Sequence, residues 1–370
     1  MKIAYVCVDP GIPIFGTKGA SVHIQEVVRE LRRRGHEVVV HAVRKGTCIP
    51  DDLHDLEVRV YPIEEREPSK RETAQWERAT EISAELRRDG TELIYERYSL
   101  FSTVIATSGI PGILEVNAPL IDEQRTHRTL FDAATAAAAL QSQVSSARAT
   151  ICVSDRVRDW VIANSVGGRV VTVANGVCLE RIVPQPEDTD GPPVVTFIGS
   201  LKPWHGVSDL LHAAKHAQQA WRIRIIGDGP EREALETLAT DLNVQVDFRG
   251  AVAPTDMLAH LAGSAIAVAP YPAANDSDQY FSPLKIFEYM AAGLPIVASQ
   301  VGQIPAILGT AAELIPPSHP VALAAAIDGL VEQPGRRKAL GEQARRLAEQ
   351  HHGWPQVVDN ILQIAGVADS

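Results

Sequence analysis

Along the chain, short runs of apolar, β-branched residues alternate with stretches in which apolar positions recur at helical spacing. Residues 2–8 read as a buried strand, and 10–19 as a loop with three glycines and two prolines. Ile24, Val27, Val28 and Leu31 then fall on one helical face, which Gly35 ends. Further strands are expected at 38–43, 58–61, 93–95, 112–115, 150–153 and 170–173, with an alanine-rich helix at 133–139. Residues 183–193 mix prolines, acids and glycine without period and read as a linker. The alternation restarts at 194–198, followed by the loop 200–206 and a helix from about Val207. Strands follow at 222–226, 244–248, 266–269 and 296–298. Two such assemblies predict an α/β protein of two Rossmann-like parallel-sheet domains, at 1–182 and 194–353, with a central cleft as the default site.

Composition narrows the function. The 370 residues are 45% hydrophobic and 22% charged, as in folded proteins, and carry a formal net charge of -11. That balance argues against nucleic-acid binding, which needs a basic footprint. The densest basic run, Arg32-Arg33-Arg34, ends the first helix, where cations suit the dipole; contact with a membrane or an anionic partner is the alternative. Four scattered cysteines, Cys7, Cys48, Cys152 and Cys178, lack metal-ligand spacing and suit a reduced, cytoplasmic protein. The first eight residues are too short an apolar run for a signal peptide, and no stretch is long enough to span a bilayer.

Three segments carry candidate chemistry. Gly16-Thr17-Lys18-Gly19-Ala20-Ser21 opens the first helix, where small residues let amides approach an anion; a tight turn is the alternative. In 280–295, Ser282 reads as an N-cap and Pro283 as the first helical residue, with Ile286, Phe287 and Met290 facing inward and Gly293 as the stop. Lys285 and Glu288 stand three apart there, as a surface salt bridge or with the lysine facing something anionic at that end. The loop Gly199-Ser200-Leu201-Lys202-Pro203-Trp204-His205-Gly206 sets a lysine and a histidine at a strand's carboxyl end, cations for a departing diphosphate or solvated loop residues.

The succession GTKGAS, LRRRGHEVVV, NGV, GSLKPWHG, IIGDGPER, VDFRGAV and SPLKIFEYMAAGLPIVAS resembles the retaining GT-B glycosyltransferases of family 4 (glycosyl transferases group 1) over nearly the full length. The resemblance implies that 354–370 is the final helix crossing back to an N-terminal acceptor domain, and that 194–353 binds the donor. It implies donor contacts from Gly16, Gly19, Ser200, Lys202, Tyr280, Ser282, Leu284, Lys285 and Glu288, with Lys202, His205 and Lys285 stabilising the leaving diphosphate. Ser200 and His205 stand where the family usually has Arg and Lys, so Lys202 supplies the missing charge. Glu288 matches the ribose-holding second glutamate of the paired-glutamate motif, whose first member is replaced by Tyr280. Acceptor contacts are implied for Glu96, Arg97 and Asn117, the last at the usual position of a histidine.

The same resemblance implies transfer with retention from a nucleoside diphosphate sugar, UDP- or GDP-linked, to a small-molecule, glycan or lipid-linked acceptor. It implies no cofactor and no metal, and Asp276-Ser277-Asp278 reads as a solvated or sugar-facing loop rather than a cation site. The competing functions are a nucleotide-sugar epimerase or phosphorylase of the same fold and a hinged sugar-binding protein. A nicotinamide oxidoreductase lacks its glycine fingerprint.

Overall fold

The computed structural model describes residues 1–273, 280 and 282–367. The chain divides into two compact units: Met1–Asn175 with Tyr280, Ser282 and the segment from Trp354 onward, and the remainder from Gly176 to Gly353.

The apolar runs are parallel strands, and the central ones are buried on both faces as their continuous hydrophobicity requires. In the first unit these are β1 (Lys2–Cys7), β2 (Glu37–Ala42), β3 (Val58–Val60), β4 (Leu93–Arg97), β5 (Gly112–Val116), β6 (Ala149–Cys152) and β7 (Val170–Thr172). They pair in the order β3-β2-β1-β4-β5-β6-β7. The second unit holds β8 (Val194–Ile198), β9 (Arg222–Ile226), β10 (Val246–Gly250), β11 (Ser264–Ala269), β12 (Ile296–Ser299) and β13 (Ala312–Ile315), ordered β10-β9-β8-β11-β12-β13. Both sheets thus reverse direction beside their first strand, the point at which doubly wound sheets take ligands. Strand β13 has no counterpart among the sequence expectations. Its sequence, Ala-Glu-Leu-Ile, lacks a β-branched run and pairs only with β12.

The division falls after Asn175 rather than in the 183–193 segment. Val177 already donates its N–H to the His352 carbonyl (2.8 Å), and the Arg345 guanidinium holds the Ile182 carbonyl (2.9 Å). The segment expected as a linker is itself tied down. Arg337 grips the Glu187 carboxylate at 2.7 and 3.0 Å, and Arg222 reaches Asp188 at 2.9 Å and the Pro192 carbonyl at 3.0 Å. The helix Trp354–Ile364 belongs to the first unit, where Arg34 bonds the Pro355 carbonyl (2.7 Å) and Asp359 (2.5 Å). The basic run is consumed within the molecule: Arg32 pairs with Asp55, and Arg33 and Arg34 with Glu30. Among the described residues no helix is long and apolar enough to cross a membrane.

The helix Leu284–Ala291 is set by three contacts. Ile286, Phe287 and Met290 fill the core, as their spacing predicts. The buried Tyr289 hydroxyl accepts the Ile198 N–H (2.7 Å) and donates to the Val268 carbonyl (3.1 Å), pinning the helix to β8 and β11. At its end Leu294 N–H bonds the Tyr289 carbonyl and Gly293 N–H the Met290 carbonyl, a Schellman closure with Gly293 at φ 65. Gly341, on helix Pro334–Leu347, lets that closure pack, since a Cβ there would stand 2.1 Å from the Gly293 carbonyl oxygen. Gly341→Ala is therefore expected to cost about 1–3 kcal/mol through overpacking. Gly329→Ala, on helix Pro320–Glu332 with nothing within 4 Å of its added methyl, should gain up to about 1 kcal/mol of helix propensity. Urea unfolding of the two variants checks the opposite signs.

Candidate functional site

The carboxyl end of β8 builds the most unusual environment of the second unit. The strand is followed by Gly199, with φ at 146, a backbone state that L side chains rarely adopt. A Cβ there would lie 2.8 Å from the Lys285 Nζ, so the missing side chain is what admits the amine. Lys285 is only 7% exposed, and its Nζ has no hydrogen-bond partner. It sits 4.2 Å from the Phe197 ring centroid and 4.9 Å from that of Tyr271. Ring faces attract a cation without replacing the hydrogen bonds of water. Burial accordingly draws the amine down to about 7, against the opposing pull of Glu288.

This placement corrects the surface salt bridge offered for Lys285 and Glu288. The amine turns toward Phe197 rather than bonding the carboxylate. Glu288 is partly buried, and burial raises its pKa against the fields of Arg181 and Lys285. Leu284 opens the helix, one residue later than Pro283, which takes the N-cap position with extended backbone. Ser282 is not the cap. Its hydroxyl accepts the Asn175 N–H (3.2 Å), and its carbonyl accepts from the Asn175 amide (3.0 Å), both within the first unit.

The loop after Gly199 folds as a single 3₁₀ turn, Pro203–His205, closed by Gly206 at φ 65. A Cβ at Gly206 would fall 1.8 Å from the Pro270 carbonyl oxygen, so bare backbone brings the Tyr271 segment against this loop. His205 then lies 5.8 Å from the Tyr271 ring and 6.2 Å from Phe197. Its Nδ1 faces the Ser200 carbonyl, which can only accept, so Nδ1 carries the proton and Nε2 is left as an acceptor. Burial first, and then Lys285, hold its pKa down at about 3. His205 is consequently neutral, which corrects its assignment as a cation. Lys202 is partly exposed, with Nζ 4.6 Å from the Trp204 ring centroid. Ser200 is exposed beside it.

The remaining expected residues belong to the first unit. Ser21 donates to the Pro13 carbonyl (2.6 Å), folding the Gly16 turn, and Gly19 starts helix Gly19–Arg33 with no side-chain cap and no acid in its first turn. That leaves its first amides free for an anion. Tyr280 donates to Glu123, while its carbonyl accepts from Ser154 (2.6 Å). Glu96 is corrected from an acceptor contact to an internal brace. It is fully buried, accepts from the Ser102 hydroxyl and the Ile105 N–H, and is pushed up to about 7 by burial against those bonds. Arg97 and Asn117 stand at the ends of β4 and β5. Asp276 and Asp278 lie outside the described residues. Sequence reasoning missed Phe197, Tyr271 and Arg181; their positions follow no period, and only the fold brings them to Lys285 and Glu288.

Comparison with known proteins agrees with this architecture. Residues 17–181 match the model described as Glycosyltransferase Family 4, and residues 192–333 the model described as Glycosyl transferases group 1. The chain is 23% identical to spore coat protein SA of Bacillus subtilis, over 98% of this chain and 99% of that protein. It is 28% identical to the GDP-mannose-dependent monoacylated alpha-(1-6)-phosphatidylinositol monomannoside mannosyltransferase of Corynebacterium glutamicum. That match covers 51% of this chain and 55% of the enzyme. Among solved structures, Anabaena HepE in complex with UDP and glucose superposes with a TM-score of 0.76 at 18% identity, over 100% of both chains. The sucrose-phosphate synthase of Thermosynechococcus elongatus gives 0.74 at 17% identity, over 98% and 97%. The two parallel-sheet, Rossmann-like domains thus match the structures of GT-B glycosyltransferases.

The buried amine has a consequence for stability. A lysine whose folded pKa is depressed to about 7 from 10.5 binds fewer protons folded than unfolded, so it destabilises most below pH 7. The loss shrinks as pH rises through the folded pKa and reaches its minimum near the unfolded one. Lys285→Met should exceed the parent in stability by a few kcal/mol at pH 6 and by much less at pH 10, read from denaturant midpoints across that range.

Proposed function

The chain belongs to the glycosyltransferases of family 4 and group 1, and on that premise we propose that it moves a sugar from a nucleoside diphosphate sugar to an acceptor with retention and without a metal ion. The observation that carries this reading is the Lys285 amine at the carboxyl end of β8, buried and without a hydrogen-bond partner. An apolar site keeps such a group only at a cost, which a bound diphosphate would relieve by accepting its hydrogen bonds.

In the proposed reaction the bond from the anomeric carbon to the diphosphate oxygen breaks, and a bond to the acceptor atom forms on the same face. The acceptor proton passes to the departing phosphate oxygen. Charge collects on that oxygen in the transition state, and Lys285 and Lys202 are the groups proposed to meet it. Neutral His205 would offer Nε2 as an acceptor to a sugar hydroxyl. Glu288 would hold the ribose hydroxyls, with the fields of Arg181 and Lys285 opposing the rise in its pKa that burial causes. One relative is named for GDP-mannose and one similar structure was solved with UDP, which supports a uridine or guanosine donor. The first unit, with Arg97 and Asn117, would take the acceptor, and four free cysteines suit a cytoplasmic setting.

Two measurements test the proposal. Glu288→Gln should weaken binding of the nucleoside diphosphate by about 1–3 kcal/mol, the worth of charge-assisted hydrogen bonds, in calorimetric titration. Equal affinities in parent and variant would dismiss Glu288 as the ribose ligand. Release of nucleoside diphosphate on adding acceptor should continue in excess chelator. A loss reversed by magnesium or manganese would overturn metal independence.

A further inference from the structure

The first sheet carries a second unpaired cation. Register places Tyr5 opposite Tyr95, and Arg97 opposite both Cys7 and Glu115, so Tyr5, Tyr95, Arg97 and Glu115 share one face at the carboxyl ends of β1, β4 and β5. One oxygen of Glu115 is occupied: it accepts from His23 Nε2 (2.6 Å) and from the Tyr95 hydroxyl (3.1 Å). The Trp354 ring closes over His23 at 4.9 Å. Three polar atoms of this face have no hydrogen-bond partner: the Tyr5 hydroxyl, Arg97 Nη1 and the second oxygen of Glu115. Asn117 Oδ1, two residues past Glu115, has none either.

Arg97 is the telling member. It is 8% exposed, and among the described residues no carboxylate comes within ion-pairing distance of it. Glu115 feels its charge, yet the hydrogen bonds of Glu115 go to His23 and Tyr95. A guanidinium stays charged in any protein and presents five donors in a rigid fork. Burying one unpaired is among the most unfavourable arrangements available to a core. Its place at the carboxyl ends of parallel strands is where such sheets take ligands. The fork fits the two oxygens of a carboxylate or phosphate. The orphaned oxygens of Glu115 and Asn117 can only accept, and so suit hydroxyl donors.

We infer that Arg97, with Tyr5, Glu115 and Asn117 around it, forms an acceptor subsite for a hydroxyl-bearing anion, a sugar or polyol carrying a phosphate or a carboxylate. The inference rests on the acceptor role proposed for the first unit and names the class of acceptor that unit takes.

Thermal melting with added probes tests it. Mannose 6-phosphate, glucuronate and inorganic phosphate supply the anion with and without hydroxyls, and mannose and glucose supply hydroxyls alone. At millimolar concentration, mannose 6-phosphate or glucuronate should raise the melting temperature in proportion to the logarithm of its concentration, and the neutral sugars should not. Whichever of the two acts identifies phosphate or carboxylate. Arg97→Met should melt above the parent without ligand, because an unpaired charge is gone, and should bind the active probe more than about tenfold more weakly. Arg97→Lys should keep part of the response, and Asn117→Ala, at a partly exposed position, should weaken the sugar phosphate but not inorganic phosphate.

No response to any anion, equal responses to charged and neutral sugars, or an Arg97→Met chain that responds like the parent would each overturn the inference. An Arg97→Met chain that no longer folds while Asn117→Ala responds unchanged would assign Arg97 to structure alone and overturn it as well. UDP and GDP are titrated into the parent alongside. Nucleotide binding with no anion response sinks the acceptor class and leaves the donor site standing. An anion response with no nucleotide binding sinks glycosyl transfer, and the acceptor role with it.

Discussion

Lys285 is held in a place that water would not choose for it. Its amine lies against the backbone of Gly199 and the rings of Phe197 and Tyr271, without a hydrogen bond. Much of the second unit's local design follows from keeping it there. The helix that bears it is bolted by Tyr289 to β8 and β11, and Gly341 lets its end pack. Gly199 makes room for the amine, and Gly206 lets the Pro270 carbonyl draw the Tyr271 ring close. The same burial that lowers Lys285 forbids a second cation beside it, which is why His205 is neutral.

The first unit repeats this logic with a different residue. Arg97, like Lys285, is a cation set at the carboxyl end of a parallel strand, buried, and not ion-paired. By contrast, the arginines away from these ends are saturated: Arg337 by Glu187, Arg29 by Glu26 and Asp52, Arg59 by Glu57, Glu85 and Asp89. Buried charge is thus paired where it serves the fold and left open where the sheets offer ligand positions. The cost is borne by two apolar cores, each built around central strands buried on both faces.

Several groups whose sequence position suggested chemistry serve structure instead. Glu96 braces the turn from Ser102 to Ile105, Ser282 bonds Asn175, and the arginines after Leu31 hold neighbouring acids. Glu96 sits one residue from Arg97, which remains open, and that short offset decides which face a side chain takes. In a strand, adjacent residues point to opposite faces, so Glu96 turns inward to its brace while Arg97 joins the open layer.

The sequence by itself determined the alternation of strands and helices, because strands buried on both faces must be continuous apolar runs and helices must repeat at 3.6. Strands β8 and β9 fall where the pattern puts them, and others shift by a residue or two because pairing, not hydrophobicity, ends a strand. Legible too were the lysine and glutamate of helix Leu284–Ala291 and the loop with Lys202 and His205, since a small set of polar residues interrupts apolar or glycine-rich segments there. Only the tertiary structure decided their states. Whether Lys285 pairs with Glu288 or is caged, whether His205 is charged, and whether Arg97 has a partner depend on residues far apart in the chain. Phe197, Tyr271 and Lys285 meet through strand order and glycine-permitted backbone contact, and neither leaves a mark in local periodicity. Burial then sets the charge of each group, because desolvation depends on everything packed around it rather than on its neighbours in sequence.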